Sequence, residues 1–268
     1  MTRHALISGA SSGIGLAVAR QLAQQGWRLS LMARGTERLV AAAETLRAAG
    51  ALSVSWQAVD VRNGVATALA VKALMDAEGV PDLVMTSAGL ARPGYFEELA
   101  STDFEEAMAV NYFGTLHVLR AVLPAQRARG SGHVVLVSSG AGLTGVFGYA
   151  AYAPSKFAVR GLGEVLRNEL SREGVRVSVV FPPDTDTPQL KAENRTKPAE
   201  TFAIAGKARV MTADAVAKAI LDGVKRGSFS ITPGLEMGLL ARWGSLIAPL
   251  LHRYFDHVVA KAAHGRPL

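Results

Sequence analysis

Short apolar runs alternate with stretches of helical period along most of the chain. Residues 5–8, 28–33, 52–59, 82–86, 133–137 and 175–181 are short, dense in aliphatic side chains, and predict strands. Between them apolar positions recur every three or four residues over 16–25, 37–49, 66–78 and 104–129, which predicts helices. Gly26 and Gly50 stop the first two, and Pro124 punctuates the last. A further helix runs from Tyr152 to about Ser171 on Phe157, Val159, Leu162, Val165, Leu166 and Leu170. Strands alternating with helices of this length call for an α/β architecture: a parallel sheet covered on both faces and joined by right-handed crossovers. There is no internal repeat and no low-complexity tract.

From Gly234 the pattern shifts. Leu235, Met237, Leu239, Leu240, Trp243, Leu246, Ile247, Leu250, Leu251, Tyr254, Phe255, Val258 and Val259 make two apolar helical stripes around Pro249. Arg242, His252, Arg253, His257, Lys261, His264 and Arg266 give them cationic character. Such a segment suits a membrane interface, or a lid or subunit contact packed on the main domain. The chain is therefore divided into a main domain over 1–233 and an amphipathic helical extension over 234–268.

Composition narrows the chemistry. The 268 residues contain no cysteine, so neither a disulfide framework nor a thiolate metal site is available, and the six histidines are scattered; no metal is expected. A strand and glycine loop follow the first four residues directly, which leaves no room for a signal peptide, and no apolar run is long enough to predict a spanning helix. The net charge of +7 fits simple solubility, a phosphate-bearing cofactor, or an anionic membrane surface.

Two constellations carry candidate chemistry. After the first strand, Gly9, Ser11, Ser12, Gly13, Ile14 and Gly15 form a loop that opens a helix. Here Gly9 allows the turn, Gly13 lets backbone approach a pyrophosphate, and Gly15 permits close packing of helix on sheet. The second is Tyr152-Ala153-Pro154-Ser155-Lys156 with Ser139 thirteen residues upstream. Tyr152 and Lys156 share one face at a helix mouth, where Pro154 is tolerated in the first turn. An ammonium beside a phenol favours the phenolate and lowers its pKa from roughly 10, so such a tyrosine can exchange a proton with a carbonyl or alcohol oxygen. A serine hydroxyl beside it can hold the same oxygen.

Taken together, Gly9-x-x-x-Gly13-Ile14-Gly15, Ser87-Ala88-Gly89, Asn111, Ser139 and Tyr152-x-x-x-Lys156 resemble the short-chain dehydrogenase/reductase superfamily over residues 4–231. The resemblance implies a single Rossmann-type, doubly wound domain with a seven-stranded parallel sheet, and hydride transfer between a nicotinamide cofactor and a carbonyl or alcohol. It makes Tyr152 the acid/base, gives Lys156 the tuning of Tyr152 and the nicotinamide ribose, has Ser139 orient the substrate oxygen, and has Asn111 support a proton-relay water. The thirteen-residue spacing selects Ser139 over Ser138. Ser87 departs from the asparagine usual in the family, which puts the brace on the cofactor loop in question while leaving the backbone contacts of Ala88 and Gly89 available.

Cofactor choice rests on the end of the second strand. Arg34 and Arg38 replace the acidic residue that would select NAD, and a guanidinium can meet a 2′-phosphate with two parallel hydrogen bonds. Asp60 and Val61 resemble the family's adenine-binding pair, so NADP(H) is expected. A narrower resemblance lies in Pro182-Pro183-Asp184-Thr185-Asp186-Thr187-Pro188 and Glu193-Asn194-Arg195-Thr196-Lys197-Pro198, which look like the subfamily that reduces the 3-ketone of a long-chain sphingoid base. It implies that Thr185 and Thr187 contact the nicotinamide carboxamide and that Pro182 closes over the ring. The plainer reading is a rigid loop fixed by two prolines, with the aspartates capping a helix. The expected partner is a lipid-like ketone and not nucleic acid. The expected setting is a cytoplasmic homo-oligomer with peripheral contact at the inner membrane surface. Reduction of another apolar ketone, such as a 3-oxoacyl thioester or a steroid, and a dinucleotide-sensing binding protein are the competing readings; intact Ser139, Tyr152 and Lys156 argue against the last.

Overall fold

The computed structural model describes residues 3–206 and 210–263. In chain order the main elements are β1 (His4–Ser8), α1 (Gly13–Ala23), β2 (Arg28–Ala33), α2 (Thr36–Ala48), β3 (Ser53–Ala58), α3 (Gly64–Glu78) and β4 (Leu83–Thr86). They continue with α4 (Ser101–Ala107), a π-helical stretch (Met108–Phe113), α5 (Gly114–Arg129), β5 (Gly132–Val137), α6 (Tyr152–Leu170) and β6 (Val175–Val180). The remainder comprises β7 (Thr185–Asp186), α7 (Pro188–Glu193), α8 (Ala199–Ala205), β8 (Met211–Thr212), α9 (Ala213–Arg226), β9 (Ser230–Ile231) and α10 (Leu235–Ala263).

Among the described residues, seven strands form one parallel sheet in the order β3-β2-β1-β4-β5-β6-β9, and β7 pairs with β8 outside it. All five residues of β1 are buried, and they alternate between two cores. Ala5 and Ile7 join Val18, Leu22, Leu39 and Ile220 on one face; Leu6 joins Leu74, Leu119 and Val159 on the other. This two-sided burial explains why the strands read as continuous apolar runs instead of alternating ones. Burying each such leucine stabilises the fold by about 1.5–3 kcal/mol. The strand order reverses between β1 and β4, so their carboxyl ends open a crevice suited to a ligand.

Two expectations change. The helix predicted over 104–129 contains a π-helical turn, because one extra residue is accommodated without breaking the rod. The two apolar helical stripes expected around Pro249 belong to one helix, α10, which has the proline inside it. A proline within a helix removes a hydrogen bond and crowds the preceding turn. Ile247 before it and Leu251 after it line the same wall, which supports a continuous helix. None of its described side chains is fully buried, so it is a roof laid on the domain and packed against α8 rather than part of the core. His264 and Arg266 lie outside the described residues.

Candidate active site

The candidate catalytic and cofactor-binding residues all line one cleft of about 980 Å³, except Gly15 and Asn111, which do not reach it. The floor is the β1–α1 loop. Gly9 has φ +73°, and a Cβ there would meet the backbone of Ser87 and Ala88 at 2.6 Å. A Cβ on Gly15 would lie 2.4 Å from the Gly9 carbonyl oxygen and 3.2 Å from Ser87 Oγ. The tight turn and the close helix packing therefore require glycine at these two positions. The N-terminus of α1, with Ser12 as its cap, faces the cleft and offers unpaired N–H groups of the kind that bind phosphate.

Tyr152 is the first residue of α6, which places Pro154 in the first helical turn. Lys156 follows one turn later, its Nζ donating to the Val137 carbonyl at 3.0 Å and lying 5.6 Å from the Tyr152 ring centre. The adjacent serines separate cleanly. Ser138 is buried and donates to the Lys156 carbonyl at 2.8 Å, whereas Ser139 lines the cleft within hydrogen-bonding reach of the Tyr152 hydroxyl. Asn111, on the π-helical turn, accepts from Leu90 N (2.9 Å) and donates to Leu90 O (3.0 Å) and Ser155 Oγ (2.8 Å). Both amide hydrogens are thus spent on tying the loop after β4 to α6. Ser155 in turn donates to the Tyr152 carbonyl at 2.6 Å.

Burial pushes the Tyr152 hydroxyl above the ordinary tyrosine range, and the nearby Glu193 carboxylate pushes it the same way, against the pull of Ser139. The sequence argument looks to the Lys156 ammonium to lower this value; the opposite direction prevails because the loss of solvent is the larger effect. Burial also lowers Lys156, to about 8, partly offset by Glu193, so the ammonium still carries its charge at neutral pH for the most part. The pair thus rests with both protons in place.

At the far end, Arg34 and Arg38 follow β2 and face the cleft with no ion-pair partner among the described residues. Asp60 is held below the usual carboxylate range, chiefly by hydrogen bonds from Arg62. Val61 beside it packs against Gly114. Ser87, Ala88 and Gly89 form the wall after β4, with Ser87 N donating to Ser8 O at 3.0 Å; the short Ser87 side chain lies against Gly15.

In the segment after β6, the Pro182 carbonyl accepts from Gly140 N (3.0 Å), and buried Thr185 donates to Pro183 O (2.8 Å). The expectation that the aspartates cap a helix is corrected: Thr187 caps α7, its hydroxyl accepting from Leu190 N at 3.2 Å, with Pro188 in the first turn. Asp184 faces Lys197 and Asp186 faces Lys191, each at 3.4 Å. Sequence reasoning assigned no role to Tyr149, Gln189 or Glu193, which meet at the Tyr152 end of the cleft. Tyr149 Oη donates to Glu193 Oε2 at 2.7 Å and Gln189 Nε2 donates to Oε1 at 2.9 Å. Met237, Leu240, Ile247, Leu251 and Phe255 of α10 close the cleft from above. On its outward side the same helix exposes Leu235, Trp243, Leu246 and Leu250, with Leu239 and Tyr254 partly exposed at the rim of the cleft.

Residues 3–198 match the family model described as short chain dehydrogenase. A 3-ketodihydrosphingosine reductase of Dictyostelium discoideum is 35% identical over 275 residues, covering 96% of this chain and 82% of that protein. A short chain dehydrogenase/reductase from Burkholderia phymatum, solved in complex with NAD, superposes with a TM-score of 0.82 at 27% identity, covering 93% of this chain and 95% of that one. A short-chain dehydrogenase from Sphingobium yanoikuyae in complex with NADPH gives 0.79 at 28% identity, covering 95% and 96%.

Proposed function

The chain belongs to the short chain dehydrogenase family, and from that premise we propose that it reduces the 3-ketone of a long-chain sphingoid base, 3-ketodihydrosphingosine, using NADPH. The observation that carries this reading is a single cleft holding Tyr152, Lys156 and Ser139 at one end, a phosphate-type loop at the other, and a roof of apolar side chains beside the reacting groups. The likeness to a named reductase of this substrate supports it.

The residues present fit the dinucleotide. The space at Gly9 and Gly13 that a Cβ would narrow, and the N-terminus of α1, suit its pyrophosphate; Asp60 and Val61 suit the adenine. Arg34 and Arg38, held in no ion pair among the described residues, suit the 2′-phosphate. Thr185, Thr187 and Pro182 stand where the nicotinamide end would be held. Bound NADPH supplies a hydride. Ser139 holds the ketone oxygen, and Tyr152, kept protonated by burial, delivers its proton there as negative charge develops. Lys156 supplies the positive charge that steadies the phenolate left behind. Asn111 fixes the wall behind them through Leu90 and Ser155. The alkyl chain runs under Leu240, Ile247, Leu251 and Phe255, and the outward stripe of α10, flanked by Arg242, Arg253 and Lys261, rests on an anionic lipid surface.

The test is oxidation of NADPH and of NADH with a panel of ketones, the lipids presented in anionic vesicles and in neutral micelles. The long-chain amino ketone with NADPH on anionic vesicles should give the highest kcat/KM. Preference for a 3-oxoacyl thioester or a steroid would overturn the substrate assignment.

A further inference from the structure

Among the buried glutamates, Glu193 lines the cleft, and Glu78 and Glu200 do not. Glu193 is only 8% exposed, and its two oxygens receive one neutral donor each, Tyr149 Oη and Gln189 Nε2. No cation lies within ion-pair distance of it among the described residues. The nearest cations of the cleft are otherwise engaged: Lys197 faces Asp184 and the rings of Tyr149 and Phe202, and Lys156 is bonded to Val137. A carboxylate has room for about four hydrogen bonds, so Glu193 retains acceptor capacity after these two. Burying such a charge without a counter-charge is costly, and a ligand cation removes the cost. Tyr149, which donates to Glu193, has its ring centre 5.6 Å from that of Tyr152, so the carboxylate sits at the Tyr152 end of the cleft.

We infer that Glu193 is the specificity residue for the substrate's amine: its carboxylate binds the ammonium on the carbon next to the ketone, with Tyr149 and Gln189 fixing its position. This rests on the reading of the substrate as a 2-amino-3-ketone. In that substrate the cation is two bonds from the reacting carbon, so a carboxylate at the Tyr152 end of the cleft is within reach of it. The amine contact then fixes which way the chain points, with the alkyl tail left to the apolar roof. A neutral 3-oxoacyl thioester or steroid offers nothing to this group and leaves it buried and unpaired.

The experiment compares 3-ketodihydrosphingosine with the same ketone carrying hydrogen in place of the amine, in wild type and in Glu193→Gln. The Tyr149 hydroxyl can rotate and the Gln189 amide can flip, so the variant keeps both internal hydrogen bonds while losing the charge. A charge-assisted contact of this kind corresponds to about a 10- to 150-fold larger loss of kcat/KM for the amino ketone than for the amine-free ketone, whose own smaller change reports the loss of the Glu193 charge near Tyr152 and Lys156. An equal fall for both ketones, or no fall for either, would show that Glu193 is a structural bridge and overturn the proposal while the substrate reading stands. A wild type that prefers the amine-free ketone removes the substrate reading and this proposal together. Should the variant fail to fold, inhibition of the wild type by a long-chain primary amine and by the alcohol of equal length decides the matter. The amine should bind at least about tenfold tighter, and equal binding overturns the proposal.

Discussion

The two ends of the sheet both bury polar side chains, and they use them differently. At the amino ends of the strands His4 contacts Gly79 O (3.0 Å) through Nδ1 and Ser30 Oγ (2.9 Å) through Nε2. A carbonyl only accepts, so Nδ1 carries the proton and Nε2 accepts from the serine. His133 reaches Ser178 Oγ at 2.8 Å, and that hydroxyl already donates to Ser228 O, so Nε2 is the donor and Nδ1 has no partner among the described residues. Glu78, as buried as Glu193, receives the hydroxyls of Ser53 and Ser55 at 2.7 and 2.6 Å. At the carboxyl ends Tyr152, Lys156 and Glu193 are buried to a similar degree, but each keeps a face on the cleft. A buried polar group is structural when the protein itself surrounds it and chemical when one side is left for a ligand. Burial alone does not distinguish the two.

The largest expected effect separates the ends outright. Tyr152→Phe keeps the ring and removes the proton, so turnover should fall about 100- to 10,000-fold with an unchanged melting temperature and NADPH affinity. A variant retaining more than about a tenth of wild-type turnover, with chemistry rate-limiting, would show that Tyr152 is not the acid.

The next effect belongs to the other end. Burial lowers both His4 and His133 to about 4, with Arg28 adding to the first and Arg176 to the second. The unfolded chain takes up protons as pH falls through about 6.5, whereas the folded rings stay neutral until about 4. The contribution of these two rings to stability should therefore be level above pH 6.5, decline between 6.5 and 4, and flatten below. Each ring contributes on the order of 3 kcal/mol to that decline. Urea midpoints across this range measure it, and His133→Gln should remove about half of the slope without altering turnover per folded molecule at pH 7.

A smaller effect sharpens the comparison within the cleft itself. Arg34→Asp should weaken NADPH about 10- to 100-fold while leaving NADH nearly unchanged, since it exchanges a phosphate partner for a repulsion. Fluorescence titration with both cofactors reads this directly, and an equal loss for the two would make Arg34 structural. Arg38 beside it limits the size of the effect.

The half of the site that sequence made visible is the half built from local spacing. Gly9, Gly13 and Gly15 act within one loop, and Tyr152 and Lys156 within one helical turn, so their pattern survives without knowledge of the fold. The Tyr149–Glu193 contact spans 44 positions between residues of ordinary type and leaves no such trace. The stripes around Pro249 read as two because the cost of a proline in a helix is local, while the wall that both of them line is tertiary. Thr187 and the aspartates around it are all good caps by type, and only the backbone path selects the threonine. Tyr152 is the subtlest case. Charge pairing with Lys156 can be inferred from sequence, but the depth of burial that outweighs it cannot.

The π-helical turn at Met108–Phe113 sets a phase for the long rod that contains it. An α-helix advances about 100° per residue, so one residue carried in a widened turn offsets everything after it by that angle relative to an unbroken helix. With the offset, Asn111 reaches Leu90 and Ser155 while Val118, Leu119 and Val122 of α5 remain buried in the core. Removing a residue here would restore the regular hydrogen-bond ladder and force a choice between those two alignments. The extra residue works as a rotational adapter, letting a single rod satisfy a core whose side chains were placed by one angle and a site placed by another.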